Sequence, residues 1–266
     1  MKKNAIVKRM ESDEKRYAEY EELLIKRDQL AREAGFILTA YTKEFGDMIN
    51  ANFELKIKCI KTKKAISYCH RMMNRGLTVN VDLMNNALDK EMKLYNDQLR
   101  DMIEDTKSAK DSKMISEFRL SRARKIYRRL AKILHPDMNG ATKDNAKLSD
   151  LWDRIYQAYL RSDADELENL EALVHRTMED LGSDVFEVKI DNIEERIEKI
   201  ENQINDFISS EPYIYKEYLM DDEKKAAYRD QLQDEHSEYE DYLKTLTNAL
   251  NDLLQQGGVT ITWKMN

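Results

Sequence analysis

The chain has 266 residues, of which 36% are charged, and its 44 basic and 51 acidic residues leave a net charge of −7. Only seven glycines and two prolines occur, too few for the many turns of a sandwich, a barrel or a doubly wound sheet. We therefore expect an all-α, elongated protein, because helices this rich in charge can each bury only one stripe.

The N-terminal part, residues 1–104, is predicted to be a helical hairpin or bundle. Apolar residues recur there at spacings of three and four, which indicates one buried stripe on each helix. We expect three helices, over about 12–34, over about 41–75, and from about 81 onward. Residues 105–116 are polar and weakly patterned, and we interpret them as a linker.

A basic amphipathic helix is predicted after the linker. Residues 119–132 contain seven basic side chains and no acidic one. Apolar residues occupy one face of this helix at spacings of three and four, and basic residues occupy the remainder, namely Arg122, Arg124, Lys125, Arg128, Arg129 and Lys132. Such a helix would face a core on one side and attract an acidic partner or a phosphate backbone on the other.

The tripeptide His135-Pro136-Asp137 follows this helix directly. Residues 127–139 read YRRLAKILHPDMN, and the next predicted helix carries Trp152, Ile155, Ala158 and Tyr159. In these residues the chain resembles the J-domain of the DnaJ co-chaperone family, whose second helix and tripeptide typically read like AYRKLAKKYHPDKN. The family's third helix typically carries F-x-x-I-x-x-A-Y. The resemblance covers about residues 119–161, and we place a divergent J-domain, a central helical pair, at 117–163.

The resemblance implies a function. J-domains bind a DnaK-type chaperone and stimulate its ATP hydrolysis without covalent chemistry of their own, so we expect neither an enzyme nor a cofactor. His135, Pro136 and Asp137 would dock on the chaperone, and the six basic side chains named above would steer toward an acidic face of it. The core of the J-domain would consist of Tyr127, Leu130, Trp152, Ile155, Ala158 and Tyr159.

Three features depart from the family pattern. The family's first helix is not recognisable before Arg119, so N-terminal helices could pack in its place. Met138 stands where the family commonly has lysine. No Gly/Phe-rich stretch and no zinc module follows, so the client protein stays unknown.

The C-terminal part is predicted to be a connecting helix followed by a coiled-coil hairpin. Residues 164–182 carry a helical apolar stripe. Within 183–256, two segments carry apolar seams at spacings of three and four, separated by a polar break at 209–212, which indicates an antiparallel coiled coil. Residues 257–266 are β-prone. These arms would select a client or a location, and a homodimer through the coiled coil is left open.

Other classes of protein are disfavoured. No apolar run of 18 residues and no apolar signal core occurs, so we expect a cytoplasmic protein without a membrane span. The acidic balance disfavours nucleic-acid binding through 119–132. Cys59 and Cys69 lie too far apart on one predicted helix for a disulfide, and no second thiol pair accompanies them, so we expect reduced thiols and no metal. The alternative to the co-chaperone is a coiled-coil scaffold or interaction protein with a non-functional J-like fold.

Overall fold

The computed structural model describes residues 2–112, 115–181 and 192–256, with side chains from residue 15 onward. These residues form no strand, and the prediction of an all-α chain is confirmed. None of the described helices is long and apolar enough to cross a membrane. The helices are α1 Lys2–Met73, α2 Val81–Glu91, α3 Lys93–Asp111, α4 Glu117–Leu134, α5 Gly140–Asp144, α6 Ala146–Leu160, α7 Ala164–Leu181, α8 Ile193–Ile208, α9 Lys216–Met220 and α10 Asp222–Gln256, with a 3₁₀ turn at Tyr213–Tyr215 before α9.

The chain forms two compact units, and α1 contributes to both. Unit 1 consists of Met1–Leu38 and Lys113–Tyr215, and unit 2 consists of Thr39–Ser112 and Lys216–Asn266. This division differs from the predicted domains, because the start of the expected N-terminal bundle belongs with the J-like region. Unit 1 therefore contains every residue that the sequence analysis placed in a site.

Helix α1 continues through Gly35, where the sequence analysis ended its first helix. One exposed glycine in a helix costs only about 1 kcal/mol, and no proline follows it to enforce a break. Helix α3 likewise extends to Asp111, so most of the predicted linker is helical. Thr106 is buried there and accepts a hydrogen bond from Asn50 of α1 at 2.9 Å.

The predicted coiled-coil hairpin over 183–256 is replaced by two helices that each pack on α1. The seam of α8, formed by Ile197, Ile200 and Ile204, is buried in unit 1 against Tyr20 and Leu24. Helix α10 packs in unit 2. There Tyr228 meets Phe45 of α1 edge-on, with ring centroids 5.0 Å apart, and the carbonyl of Leu232 accepts a hydrogen bond from Asn52 at 2.9 Å. The C-terminal leucines of α10 pack in a cluster that contains residues of both α1 and α2. Residues 183–191 and the β-prone tail 257–266 lie outside the described ranges.

The main core of unit 1 is formed by α4, α6 and α7 together with Ile25 of α1. The buried face of α4 is the apolar stripe found in the sequence, and it lies against α6 and α7. The six residues assigned to a J-domain core are all buried in this one cluster: Tyr127, Leu130, Trp152, Ile155, Ala158 and Tyr159. Packing therefore presents the turn between α4 and α5 at the end of a rigid helical group.

Candidate functional site

The turn after α4 is held by its own side chains. Helix α4 ends at Leu134, and His135, Pro136 and Asp137 form the turn that follows. Asn139 is buried and ties both sides of this turn together. Its side-chain amide donates to the carbonyl of Ile133 at 3.1 Å, and its side-chain oxygen accepts from the backbone of Ala141 at 3.0 Å to cap α5. The tripeptide therefore sits in a fixed conformation.

Aromatic rings of α4 and α6 pack against this turn. Tyr127 of α4 stacks on Tyr159 of α6 with centroids 3.8 Å apart. Trp152 packs beside both Tyr127 and His135, at centroid distances of 5.9 Å and 4.7 Å. These rings connect α4 and α6, the two helices on which the sequence resemblance depends. Trp152 extends the contact to His135, the first residue of the tripeptide.

His135 is buried rather than presented to solvent, with only 2% of its surface exposed. The backbone N–H of Asp137 donates to its Nδ1 at 3.1 Å, and the other ring nitrogen, Nε2, faces α1. That nitrogen lies 3.5 Å from Oδ2 of Asp28 on α1. The expected contact between His135 and a chaperone is therefore not available at this surface, because both ring nitrogens face partners inside the protein.

Asp28 is the centre of a buried polar network that sequence analysis missed. It is 1% exposed, accepts a hydrogen bond from the Tyr127 hydroxyl at 2.6 Å, and pairs with Arg27 at 2.9 Å. Burial acts to raise the pKa of Asp28, but the hydrogen bond from His135, the charges of Arg27 and His135, and the Tyr127 hydroxyl together lower it below its usual range. The network therefore keeps the Asp28 carboxylate ionised in the interior of unit 1.

A signal for this network was present in the sequence. Tyr20, Leu24 and Asp28 follow one another at a spacing of four, so Asp28 continues an apolar stripe. A carboxylate at a buried helical position needs hydrogen-bond donors. The Tyr127 hydroxyl and the His135 imidazole, in or near the tripeptide, were candidates. The pairing itself could not be inferred, because the residues are about a hundred positions apart.

Pro136 and Asp137 are half-buried, and Asp137 attracts positive side chains. Arg27 approaches one carboxylate oxygen at 3.4 Å and Lys143 approaches the other at 3.2 Å. Burial acts to raise the pKa of Asp137, but the charge of His135 and the hydrogen bond and charge of Lys143, together with Arg27, lower it. Asp137 is therefore an anion with part of its surface still open to solvent.

Met138 fills the position where the family commonly has lysine. Its side chain is 9% exposed and belongs to the cluster that contains the α8 seam and the Tyr20 and Leu24 side chains of α1. A lysine there would bury its charge among apolar groups, which is unfavourable without a partner. The apolar side chain of Met138 therefore fits the cluster in which the α8 seam packs.

Most of the basic face of α4 is neutralised within unit 1. Five of the seven basic residues in 119–132 form ion pairs with acidic side chains of α1 or α7. On the α1 side, Arg128 pairs with Glu22 and Lys132 pairs with Glu21. The pairs with α7 are Arg119 with Asp165, Arg122 with Asp165 and Glu168, and Arg129 with Glu171.

Two basic side chains of α4 are exposed to solvent. Arg124 and Lys125 are exposed and form no ion pair with a described side chain. The broad positive face expected from the sequence is thus reduced to these two residues, because acidic residues of two other helices lie over the rest.

The two cysteines lie in unit 2, whereas the candidate turn lies in unit 1. Cys59 and Cys69 are buried and unpaired in unit 2, and burial raises the pKa of both thiols. Within the described ranges, no three His, Cys, Asp or Glu side chains lie together as a metal ion would require.

Comparison of the chain with protein-family models, with curated proteins and with solved structures finds no match. A function can therefore be inferred only from the residues of this chain.

Proposed function

We propose that the chain is a co-chaperone of the J-domain type, which binds a DnaK-type chaperone and stimulates its ATP hydrolysis. The observation that carries the proposal is the placement of Pro136 and Asp137 in a rigid, half-buried turn directly after a basic helix. A co-chaperone of this kind does not bring catalytic groups; it shifts the conformational population of its partner. A preorganised turn reduces the entropic cost of such a contact.

The roles within the tripeptide are divided. His135 acts inward, where it connects the turn to Asp28 and Trp152. Asp137 acts outward, as the charged group that the chaperone meets. The N-terminal part of α1 takes the place of the family's first helix, since it packs on α4 through Ile25 and Asp28. The remaining helices would select the client, and the cytoplasm is the proposed location.

Arg124 and Lys125 supply the electrostatic part of the contact, since they are the two cations of α4 that form no ion pair with a described side chain. A charged side chain that steers association and has no partner inside the protein can be replaced by one of opposite charge without loss of folding stability. The proposal is therefore tested by single-turnover ATP hydrolysis of a DnaK-type chaperone in the presence of the wild-type chain, of Lys125→Glu and of Lys90→Glu. Lys90 is the matched control, because it is an exposed and unpaired lysine of α2 in unit 2.

We expect the wild-type chain and Lys90→Glu to accelerate hydrolysis equally. Lys125→Glu should raise the concentration for half-maximal stimulation roughly tenfold, which corresponds to about 1.4 kcal/mol. Added salt should weaken stimulation by the wild type more than stimulation by Lys125→Glu. A folded wild-type chain that leaves the rate of hydrolysis unchanged would contradict the proposal. His135→Gln is a poor probe here, since it would disturb the buried network as well as any contact.

The second candidate is a scaffold whose J-like fold does not act on a chaperone. The burial of His135 and the internal pairing of five basic residues favour it. Both direct groups that would contact a chaperone in the DnaJ family toward the inside of the protein. The scaffold predicts that wild type, Lys125→Glu and Lys90→Glu all leave hydrolysis at its basal rate.

A further inference from the structure

A cavity of about 690 Å³ in unit 2 is lined by the C-terminal part of α1, the turn after it and α2. The α1 part of its wall belongs to a strongly basic segment, because residues 55–81 contain seven lysines and arginines and no acidic residue. Three of the lining residues are basic and one is acidic, namely Lys64, Arg71 and Arg75 against Glu91. The proposed co-chaperone function, which uses unit 1, does not account for this cavity.

The two arginines are the basic groups of the cavity that a ligand can use. Lys64 already has a partner, since its Nζ lies 2.5 Å from a carboxylate oxygen of Glu91. The hydrogen bond and the charge of Lys64, with a further contribution from the charge of Arg71, lower the pKa of Glu91. Arg71 and Arg75 are exposed, and neither side chain forms an ion pair or a hydrogen bond with a described residue. The cavity therefore has an excess of two positive charges, both of them guanidinium groups.

The end of α1 does not require these two side chains as caps. The last carbonyls of a helix lack partners within the helix, and basic side chains can serve as donors to them. Here the backbone N–H groups of Asn74, Gly76 and Leu77 donate to carbonyls of the last turn at 2.9–3.0 Å. The helix dipole places roughly half a negative charge at this end, which offsets only about a quarter of the two guanidinium charges.

The base of the cavity is apolar and well packed. Leu88 of α2 is buried, and Tyr68 and Met72 of α1 pack on the same cluster. Arg71 lies 5.7 Å from the centre of the Tyr68 ring, a contact that orients its side chain and uses none of its N–H donors. The cavity thus combines a fixed apolar surface with guanidinium donors at its edge. Its volume lies within the range of about 300–1,000 Å³ that is usual for small-molecule sites.

We propose that this cavity binds a phosphate monoester whose alcohol part is aromatic or otherwise apolar. A phosphate monoester carries about −1.5 to −2 charges near neutral pH, which matches the two available guanidinium groups. Each guanidinium can offer paired donors to the phosphate oxygens, and Tyr68, Met72 and Leu88 would contact the apolar part. A carboxylate, with one charge, would leave half of the positive excess unmatched. The proposal does not depend on the co-chaperone function, because the candidate turn belongs to unit 1.

The experiment is calorimetric titration of the full chain with naphthyl phosphate. Inorganic phosphate and naphthol, titrated separately, represent the charged and the apolar half of the ligand. Arg75→Gln and Arg75→Lys change the cavity, and Lys56→Gln is the matched control. Lys56 is an exposed lysine of α1 in unit 2 that forms no ion pair with a described side chain and does not line the cavity. Circular dichroism checks that the variants are folded.

We expect saturable binding of one naphthyl phosphate per chain, weakened roughly tenfold by Arg75→Gln and unchanged in Lys56→Gln. Arg75→Lys should fall between the wild type and Arg75→Gln, because it keeps the charge but loses the paired donors. Inorganic phosphate and naphthol should each bind more weakly than naphthyl phosphate.

Four results would overturn the proposal. The first is the absence of saturable binding to the wild type. The second is equal weakening by Arg75→Gln and Lys56→Gln, which would show a general effect of net charge. The third is naphthol that binds as tightly as naphthyl phosphate, since the guanidinium groups would then contribute nothing. The fourth is binding of a single-stranded oligonucleotide without binding of naphthyl phosphate, which would assign the basic segment to a nucleic acid.

Discussion

In each unit of the protein, a buried polar residue of α1 contacts a histidine. In unit 1, Asp28 is 1% exposed and faces His135. In unit 2, Asn52 is 4% exposed, and its side-chain oxygen lies 2.9 Å from Nδ1 of His236. Both sites place a buried side chain of α1 beside a histidine, but that side chain is charged in one site and neutral in the other.

The difference changes what each site can hold together. The amide of Asn52 offers both donors and an acceptor, and it bonds to groups of α10 alone, among them the carbonyl of Leu232. A carboxylate offers only acceptors, so Asp28 draws donors from several places: its neighbour Arg27, Tyr127 of α4, and His135 of the turn. The charged site therefore ties the candidate functional turn to the core, whereas the neutral site joins two helices.

The largest expected effect is the loss of the charged site. Asp28→Ala should lower the free energy of unfolding by about 3–5 kcal/mol, because it leaves buried donors without an acceptor. Asn52→Ala should lower it by about 1–3 kcal/mol. Urea unfolding of the two variants, followed by far-ultraviolet circular dichroism so that the helices of both units contribute to the signal, checks this. Equal losses at the two sites would contradict the comparison.

Acid should distinguish the two sites as well. The folded-state pKa of Asp28 lies below its ordinary value of 3.8, so its contribution is complete above that value and is lost as the pH falls through the folded pKa. The stability difference between wild type and Asp28→Asn should thus be largest near neutral pH and shrink below about pH 4. The corresponding difference for Asn52→Ala should not depend on this ionisation. A wild-type advantage over Asp28→Asn that persists undiminished at pH 2 would contradict the assigned charge.

Smaller effects are expected at two glycines of α1. A Cβ on Gly46 would lie 2.6 Å from the Thr106 hydroxyl oxygen of α3, so Gly46→Ala should destabilise the chain by about 1–3 kcal/mol. A Cβ on Gly35 would meet nothing within 4 Å. Gly35→Ala should therefore stabilise the continuous helix by about 0.5–1 kcal/mol. Thermal unfolding of both variants measures the two shifts, and destabilisation by Gly35→Ala would argue for a break in α1 at that residue.

The local features of this protein could be inferred from its sequence, and the long-range ones could not. Hydrophobic spacing located the buried face of α4 and the residues of its core, because periodicity reports which side of a helix is apolar. It did not show which stripe meets which. The seams of α8 and α10 have the same three- and four-residue spacing as the stripes of α1, so spacing alone does not distinguish a hairpin from packing on α1.

The candidate site shows the same limit. The positive charge of 119–132 was evident from composition, but its neutralisation by Glu21, Glu22 and the acids of α7 depends on tertiary packing. The tripeptide was found by its motif, whereas the inward orientation of His135 depends on Asp28, which is 107 positions earlier in the chain. Net local charge in the sequence therefore overestimates the charge that a partner meets.

Amide hydrogen exchange of the full chain, with and without the ATP-bound DnaK-type chaperone, tests the proposed function most directly. We expect slower exchange over residues 119–139, which include most of α4 and the turn, and unchanged exchange over residues 39–112 of unit 2. Unchanged exchange over 119–139 while the chaperone is bound, or protection confined to unit 2, would contradict it.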